Sequence, residues 1–269
     1  MNDIQWYFPK TLEEVQPHLK RDGVKLHGGG TWILRGSMRG IKGLVDLGKL
    51  ELHSFRKDSQ TVEMGAGMTY AETIRSMTTI NPDHILVKAL QHAASTPLRN
   101  IITLGGTIFS FPVWSDLMGP LIALDADVVL MGERSEAYSI TEYVKSSALR
   151  KESLITHVRF KNIGWNAYYY REVKTSFDYP AFTITILLKK NKNLIEDTRI
   201  VVVGCAGKFS RVKKIEDYLK GKTTDSLEID GIAQTHELKF TKKRSLEPAY
   251  LEHCAGVQIE RSISELTRG

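Results

Sequence analysis

Three successive glycines form the first segment of the chain that could do chemistry. His27, Gly28, Gly29, Gly30 and Thr31 follow a short apolar stretch with the character of a strand. Glycine permits unusual backbone dihedrals and close approach, so successive N–H groups can converge on an anion such as a phosphate. A flexible turn would account for the same residues, and the lysine and Ser/Thr of a P-loop are missing. The segment therefore indicates either a phosphate-binding loop or a plain turn.

A second glycine pair, further along the chain, repeats this logic. Thr103, Leu104, Gly105, Gly106 and Thr107 follow another apolar run, and the two threonine hydroxyls can donate hydrogen bonds to phosphate oxygens. Each half of a pyrophosphate can be held by a different segment. The two glycine segments together therefore favour a long ligand that carries two phosphates.

Other catalytic patterns are weak or absent. The Gly-Ala-Gly at 65–67 is similar to a dinucleotide fingerprint, but Tyr70 occupies the third glycine position, which disfavours a Rossmann site. The sequence contains no nucleophile elbow, no zinc-protease helix motif and no cysteine with an obvious local base. Asp116, which precedes an apolar helix, is either a helix cap or a carboxylate that accepts a hydrogen bond from a cofactor hydroxyl.

Composition excludes several classes of protein. The 269 residues, 42% hydrophobic and 25% charged, predict a globular chain of one large or two modest domains. The sequence contains no run of about 18 apolar residues, so a membrane span is not predicted. The net charge is +6, but basic and acidic residues are interleaved, so nucleic-acid binding is not expected. Only Cys205 and Cys254 are present, too few for an iron–sulfur cluster or structural zinc. With no secretory signal pattern at the start, this predicts a cytoplasmic location.

The elements that must position these residues change character along the chain. Apolar runs and alternation predict strands at 24–26, 44–47, 61–64, 127–131, 154–160, 167–171, 182–188 and 199–203. Capping patterns and helical spacing predict helices that begin near Thr11 and Thr69, helices at 84–94, 116–124 and 212–219, and mixed helical patterns in the last 45 residues. Alternating α/β units thus give way to adjacent, antiparallel strands, and the sequence predicts an α+β protein with a boundary near residues 163 to 166.

The order of the motifs resembles a known family, the FAD-binding medium subunit of the molybdenum hydroxylases, such as xanthine dehydrogenase and aerobic carbon monoxide dehydrogenase. The most specific match is Pro97 to Gly106, in which an Arg-Asn pair is followed by Thr-Leu-Gly-Gly. The matching segments, in chain order, are 28–31, 44–47, 65–67, 97–106, 112–126, 177–181 and 201–206. One glycine loop alone is weak evidence, whereas this ordered set covers nearly the whole chain.

The resemblance implies both a fold and a cofactor. It implies an FAD-binding α/β domain of the vanillyl-alcohol oxidase (PCMH) type at 1–164, with subdomains at about 1–52 and 53–164. A C-terminal domain of antiparallel strands with helices is implied at 165–269. It assigns Asp116 to the ribityl and flavin end, Leu154 to an apolar flavin contact, Ala93 to a place beside the cofactor, and Arg171 to the position of a family lysine. The implied FAD-binding residues are Leu26, His27, Gly28, Gly29, Gly30, Thr31, Trp32, Ala93, Thr103, Leu104, Gly105, Gly106, Thr107, Asp116, Leu154 and Arg171.

The resemblance also implies partners. Members of the family are oxidoreductases in heterotrimers: substrate is hydroxylated on a molybdopterin-binding large subunit, and a small subunit with [2Fe–2S] clusters passes electrons to the FAD. The external acceptor is NAD, oxygen or another carrier, and no substrate is specified. Two alternatives stay open: a stand-alone FAD-dependent reductase or oxidase of the same fold, and a non-catalytic assembly protein that has lost FAD. Trp32, where the family commonly has a small polar residue, favours the last.

Overall fold

A computed structural model describes residues 4–132, 136–176, 178–235, 237–243 and 246–268. Phe177, which belongs to the matching segment 177–181, lies outside the described residues, as do the end residues 1–3 and 269 of the two predicted domains.

The structure contains the following strands in chain order: β1 Gln5–Tyr7, β2 Val24–His27, β3 Gly43–Asp46, β4 Phe55–Lys57, β5 Thr61–Gly65, β6 Asp127–Gly132, β7 Ala137–Ser139, β8 Ser153–Lys161, β9 Asn166–Glu172, β10 Phe182–Asn191, β11 Leu194–Val203 and β12 Phe209–Arg211.

The α-helices are mostly short. They are α1 Gln16–Leu19, α2 Tyr70–Ile80, α3 Ile85–Leu90, α4 Thr96–Arg99, α5 Leu104–Ser110, α6 Met118–Ala123, α7 Ile140–Lys145, α8 Ser147–Glu152, α9 Lys213–Leu219 and α10 Pro248–Arg268, with 3-10 turns at Glu13–Val15, Thr224–Ser226 and Ile232–Thr235. The mixture of helices with antiparallel sheets confirms the α+β prediction. In the described part of the chain, no helix has both the length and the apolar character needed to cross a membrane.

Contacts within the chain group its residues into two compact units. The first comprises Met1–Ser76, Ala94–Phe111 and Leu124–Asn162, and the second comprises Met77–Ala93, Pro112–Ala123 and Ile163–Gly269. The division into functional domains at 1–164 and 165–269 stays a prediction.

The first unit holds two sheets. β1, β3 and β2 form a parallel sheet in that order, and β4, β5, β8, β6 and β7 form an antiparallel one. A buried cluster of Val15, Val45, Leu50, Leu52 and Leu154 joins residues from both sheets and the segments between them. β2 runs beside β3 with His27 opposite Asp46, and the chain leaves the sheet directly into the three glycines. The sheet therefore fixes the base of the glycine loop.

The second unit is built on one antiparallel sheet in the order β12, β11, β10, β9. Alternate residues of β10, among them Ile184 and Ile186, enter an apolar core that also includes buried residues of α9 and α10. The other face of β10 meets α6, where a Cβ added to Gly119 would lie 2.7 Å from the Thr185 hydroxyl. The chain's last helical part is one continuous 21-residue helix, α10, rather than the mixed patterns expected from the sequence.

α3 of the second unit begins with a histidine cap. The Nδ1 atom of His84 accepts a hydrogen bond from the Leu86 backbone N–H at 3.2 Å, which only a ring nitrogen without a proton can do. Burial lowers the pKa of His84 from 6.5 to about 4. Because the unfolded chain binds this proton more readily than the folded one, His84 stabilises the fold above about pH 6.5, and that stability is lost as the pH falls towards 4.

We expect His84 to contribute up to about 3 kcal/mol to the loss of unfolding free energy between pH 6.5 and pH 4. In His84→Asn the side chain still caps α3 but does not titrate, so the stability should fall less over this interval. Urea unfolding at a series of pH values measures the difference. Equal slopes for the wild type and the variant would show that His84 takes up its proton without cost to the fold.

Candidate cofactor site

The glycine loop of the first unit presents unengaged backbone N–H groups. Within the described ranges, no protein acceptor reaches the N–H groups of Gly28, Gly29, Gly30 or Thr31. The chain then turns, and the Leu34 N–H donates to the Gly30 carbonyl oxygen at 3.0 Å. Backbone N–H groups that no protein acceptor engages can donate to a ligand, so a row of four such groups on a loop is suited to an anion.

Packing shows why this loop must be glycine. A Cβ on Gly29 would lie 1.5 Å from the carbonyl oxygen of Ile101, and one on Gly28 would lie 3.1 Å from the Thr103 Oγ1 atom. Gly30 has a φ of +71°, in the left-handed region that glycine adopts without strain. The structure thus brings together the two glycine segments that the sequence singled out: the backbone of the first lies directly on residues 101–103.

The second glycine segment has a different form from the loop expected. Gly105, Gly106 and Thr107 lie in the first turn of α5, and Thr103 is its N-cap, accepting a hydrogen bond from the Gly106 N–H at 3.2 Å. The backbone N–H of Leu104 donates to the Met68 oxygen at 2.9 Å. The expectation of a second open loop is therefore wrong, because these N–H groups are engaged within the protein.

The remaining N–H groups of this segment are engaged in the same way. That of Gly105 donates to the Ala66 carbonyl oxygen at 2.8 Å, and that of Thr107 to the Thr103 carbonyl oxygen at 3.1 Å. A Cβ on Gly105 would also meet the Cβ of Ala66 at 2.9 Å, so this glycine permits close packing. What the segment can offer a ligand is the Thr103 side chain, which lies beside Gly28.

Three further candidates surround the glycine loop. The Nδ1 atom of His27 lies 3.5 Å from Asp46 Oδ2, and its ring meets the edge of Trp6 with 5.1 Å between centroids. Leu26 is half-buried against the apolar cluster of the first unit. The Trp32 side chain, just beyond the loop, is 44% exposed.

In the second unit, Asp116 forms a buried ion pair with Arg171. The Arg171 Nε atom donates to Asp116 Oδ1 at 2.7 Å, and the Tyr169 hydroxyl donates to the same oxygen at 2.8 Å. Ser115, rather than Asp116, caps the following helix: its Oγ accepts from the N–H groups of Leu117 and Met118, both at 3.3 Å. Of the two roles open to Asp116 from the sequence, the helix cap is therefore wrong.

Burial dominates the electrostatics of this pair. It raises the pKa of the Asp116 carboxyl, while the Arg171 guanidinium, the Tyr169 hydrogen bond and His92 act in the opposite direction. Burial and the neighbouring carboxylate raise the pKa of Tyr169 well above its ordinary value, so the phenol stays a neutral donor. The sequence analysis did not select Tyr169. Its position two residues before Arg171 on a strand, and so on the same face, is the signal that could have found it.

The other predicted site residues are buried. Leu154 is 5% exposed within the apolar cluster of the first unit, and Ala93 is 1% exposed just after α3. All but three of the predicted site residues belong to the first unit, and Ala93, Asp116 and Arg171 belong to the second. Their contacts with a cofactor stay predictions.

A glycine loop with unengaged N–H groups on an α/β unit, and a second unit of antiparallel strands and helices, are the features expected of an FAD-binding flavoprotein subunit. The chain belongs to the family described as "FAD binding domain in molybdopterin dehydrogenase", whose sequence model matches residues 2–160. FAD is therefore its cofactor, and its family is one of oxidoreductases. Both agree with the resemblance found in the sequence.

Curated relatives match part of the chain. The nicotine 6-hydroxylase medium subunit of Paenarthrobacter nicotinovorans is 27% identical over 185 residues, which cover 66% of this chain and 65% of that protein. The nicotinate dehydrogenase FAD-subunit of Eubacterium barkeri is 27% identical over 172 residues, covering 59% and 58% respectively. The chain thus spans less than two thirds of the length of these relatives.

Solved structures match over nearly the whole chain. A chain of quinoline 2-oxidoreductase from Pseudomonas putida 86 has a TM-score of 0.89 at 20% identity and covers 99% of this chain and 98% of its own. A chain of carbon monoxide dehydrogenase from Hydrogenophaga pseudoflava has a TM-score of 0.84 at 21% identity, with 97% and 96% covered. These matches confirm the predicted fold class.

Proposed function

We propose that this chain is the flavin subunit of a molybdenum-containing hydroxylase or dehydrogenase in the cytoplasm. In this role it accepts electrons from the [2Fe–2S] clusters of a small partner subunit and passes them to an external acceptor, which is NAD, oxygen or another carrier. A molybdopterin-binding large subunit completes the complex. Family membership and the row of four unengaged N–H groups at Gly28, Gly29, Gly30 and Thr31 support the proposal. Cys205 and Cys254 are free thiols, which suits a reducing compartment.

The residues present suit an FAD diphosphate. The glycine loop packs closely on the protein: a Cβ on Gly29 would meet the Ile101 carbonyl oxygen at 1.5 Å, and one on Gly28 would meet the Thr103 Oγ1 atom at 3.1 Å. N–H groups with no protein acceptor would donate to phosphate oxygens, and the Thr103 side chain lies next to Gly28. These contacts would hold and orient the cofactor.

When bound, FAD supplies the redox chemistry. The chain then needs no general base of its own toward a substrate, and its residues have three tasks. The glycine loop binds the diphosphate, Asp116 would accept a hydrogen bond from a cofactor hydroxyl, and apolar residues such as Leu154 would exclude water.

The proposal is tested with the purified chain and with its complex. The chain expressed alone should show absorption peaks near about 370 and 450 nm, and acid extraction should release FAD. A tagged chain in its native host should then co-purify with a molybdenum subunit and an iron–sulfur subunit.

A colourless chain that does not bind added FAD would overturn the proposal and favour the assembly protein. Trp32→Ser is the variant that tests whether the indole blocks the loop. A yellow chain that purifies without partners would favour the stand-alone flavoprotein.

A further inference from the structure

Two donors converge on one oxygen of Asp116. The Tyr169 hydroxyl and the Arg171 Nε atom both reach Oδ1, at 2.8 and 2.7 Å, from side chains on the same face of β9. In the described part of the chain, no protein donor reaches Oδ2. A carboxylate held by one oxygen keeps the lone pairs of the other for a donor outside the protein.

We infer that Tyr169 is a positioning residue for the cofactor: its hydroxyl fixes the orientation of the buried Asp116 carboxyl group, so that Oδ2 accepts a hydrogen bond from an FAD hydroxyl. This inference rests on the proposed function, because it requires that FAD binds.

The neighbouring groups show why the phenol is needed. Asp116 is only 7% exposed, and burial favours its neutral, protonated form. The groups that oppose protonation are Arg171 and Tyr169 on β9 and His92 after α3. Arg171 also donates to the Asp178 carbonyl oxygen, at 3.4 Å, so part of its donor capacity is used elsewhere. Tyr169 is the neutral member of the set, and it donates whatever the pH in the working range.

The test is the pH dependence of FAD affinity. In Tyr169→Phe the ring keeps its volume but the hydroxyl is lost, so the pKa of Asp116 should rise and the carboxyl should take up its proton at a higher pH. In the wild type, FAD binding should weaken below the pH at which Asp116 takes up its proton. We expect this pH to be about one unit higher in the variant. That equals roughly tenfold weaker binding at a pH where the wild-type carboxylate is still ionised. Quenching of flavin fluorescence on adding the apoprotein measures this constant between pH 5 and pH 9.

A neighbouring tyrosine provides the control. Tyr168 lies on the opposite face of β9, and its hydroxyl accepts a hydrogen bond from Gln258 at 3.1 Å. Tyr168→Phe removes a tyrosine hydroxyl from the same strand, and should leave the pH profile of FAD binding where the wild type has it. A shift in both variants would assign the effect to general loosening of the strand and overturn the inference.

A second variant covers the case in which Tyr169→Phe does not fold. Site-specific 3-fluorotyrosine at position 169 keeps the size of the side chain and makes the phenol a stronger donor, so the profile should move to lower pH. A profile that stays at its wild-type position in the variant that folds overturns the inference, while the proposed function stands if FAD still binds. If the wild type itself does not bind FAD, the proposed function fails, and the inference fails with it.

Discussion

Gly29→Ala should weaken FAD binding by ~100-fold, although it adds only a single methyl group. The added Cβ would lie 1.5 Å from the Ile101 carbonyl oxygen, a distance at which one of the two backbones must move. Because the obstacle is backbone rather than the end of a flexible side chain, the loop and the Ile101 backbone cannot keep their present separation. The N–H groups of the loop would then lose the positions in which, under the proposed function, they donate to the diphosphate. Titration of flavin fluorescence with the apoprotein measures the loss.

Gly36→Ala is the matched control for this variant. Gly36 lies in the turns that follow the same loop, and a Cβ there would meet only the Ile33 carbonyl oxygen, at 3.7 Å, which is ordinary contact. Its FAD affinity should equal that of the wild type. Circular dichroism of both apoproteins separates a displaced loop from a chain that has not folded. Wild-type affinity in a folded Gly29→Ala variant would show that the diphosphate binds elsewhere.

The glycine loop also shows how far residue types alone lead. Three glycines after a strand indicate either a phosphate-binding loop or a plain turn, and the second glycine segment, together with the order of the other motifs, favours the first. The contact of Ile101 with Gly29 is not predictable in this way, since the two are far apart in sequence and only the fold brings them together. The same holds for Ala66 and Met68, whose carbonyl oxygens engage the N–H groups of the second glycine segment.

Secondary structure is predictable where the pattern is long. The strands Phe182–Asn191 and Ser153–Lys161 agree with the prediction because apolar runs of this length between turn residues are typical of buried strands. α5 is not predicted because two glycines lower helix propensity, whereas the Thr103 cap and burial of Leu104 and Ile108 outweigh it. Tyr169 is not predicted because a tyrosine on a strand is usually a packing residue, and only the structure shows the carboxylate at its hydroxyl.

The second large effect expected is on stability, in Arg171→Met. This change keeps an unbranched side chain of similar length but leaves the Asp116 carboxylate, 7% exposed, without its cation. Removing one partner of a buried ion pair costs about 3 to 5 kcal/mol, because the remaining charge stays out of water without compensation. The Tyr169 hydrogen bond remains, so we expect about 3 kcal/mol, measured by urea unfolding at pH 8.

The pH dependence of this loss identifies its cause. Without Arg171 the pKa of Asp116 rises further in the folded state. When the folded-state pKa of a carboxyl group is raised, its contribution to the free energy of unfolding is present at low pH and is lost as the pH rises through the folded-state pKa. The difference between the variant and the wild type should therefore be larger at pH 8 than at pH 5. Lys189→Met is the control, since Lys189 pairs with Glu196 at 2.7 Å on the same sheet but in contact with water, where an ion pair contributes little. A loss in Arg171→Met that is the same at both pH values would show that Arg171 stabilises the unit by packing alone, and that the Asp116 carboxylate does not depend on it for its charge.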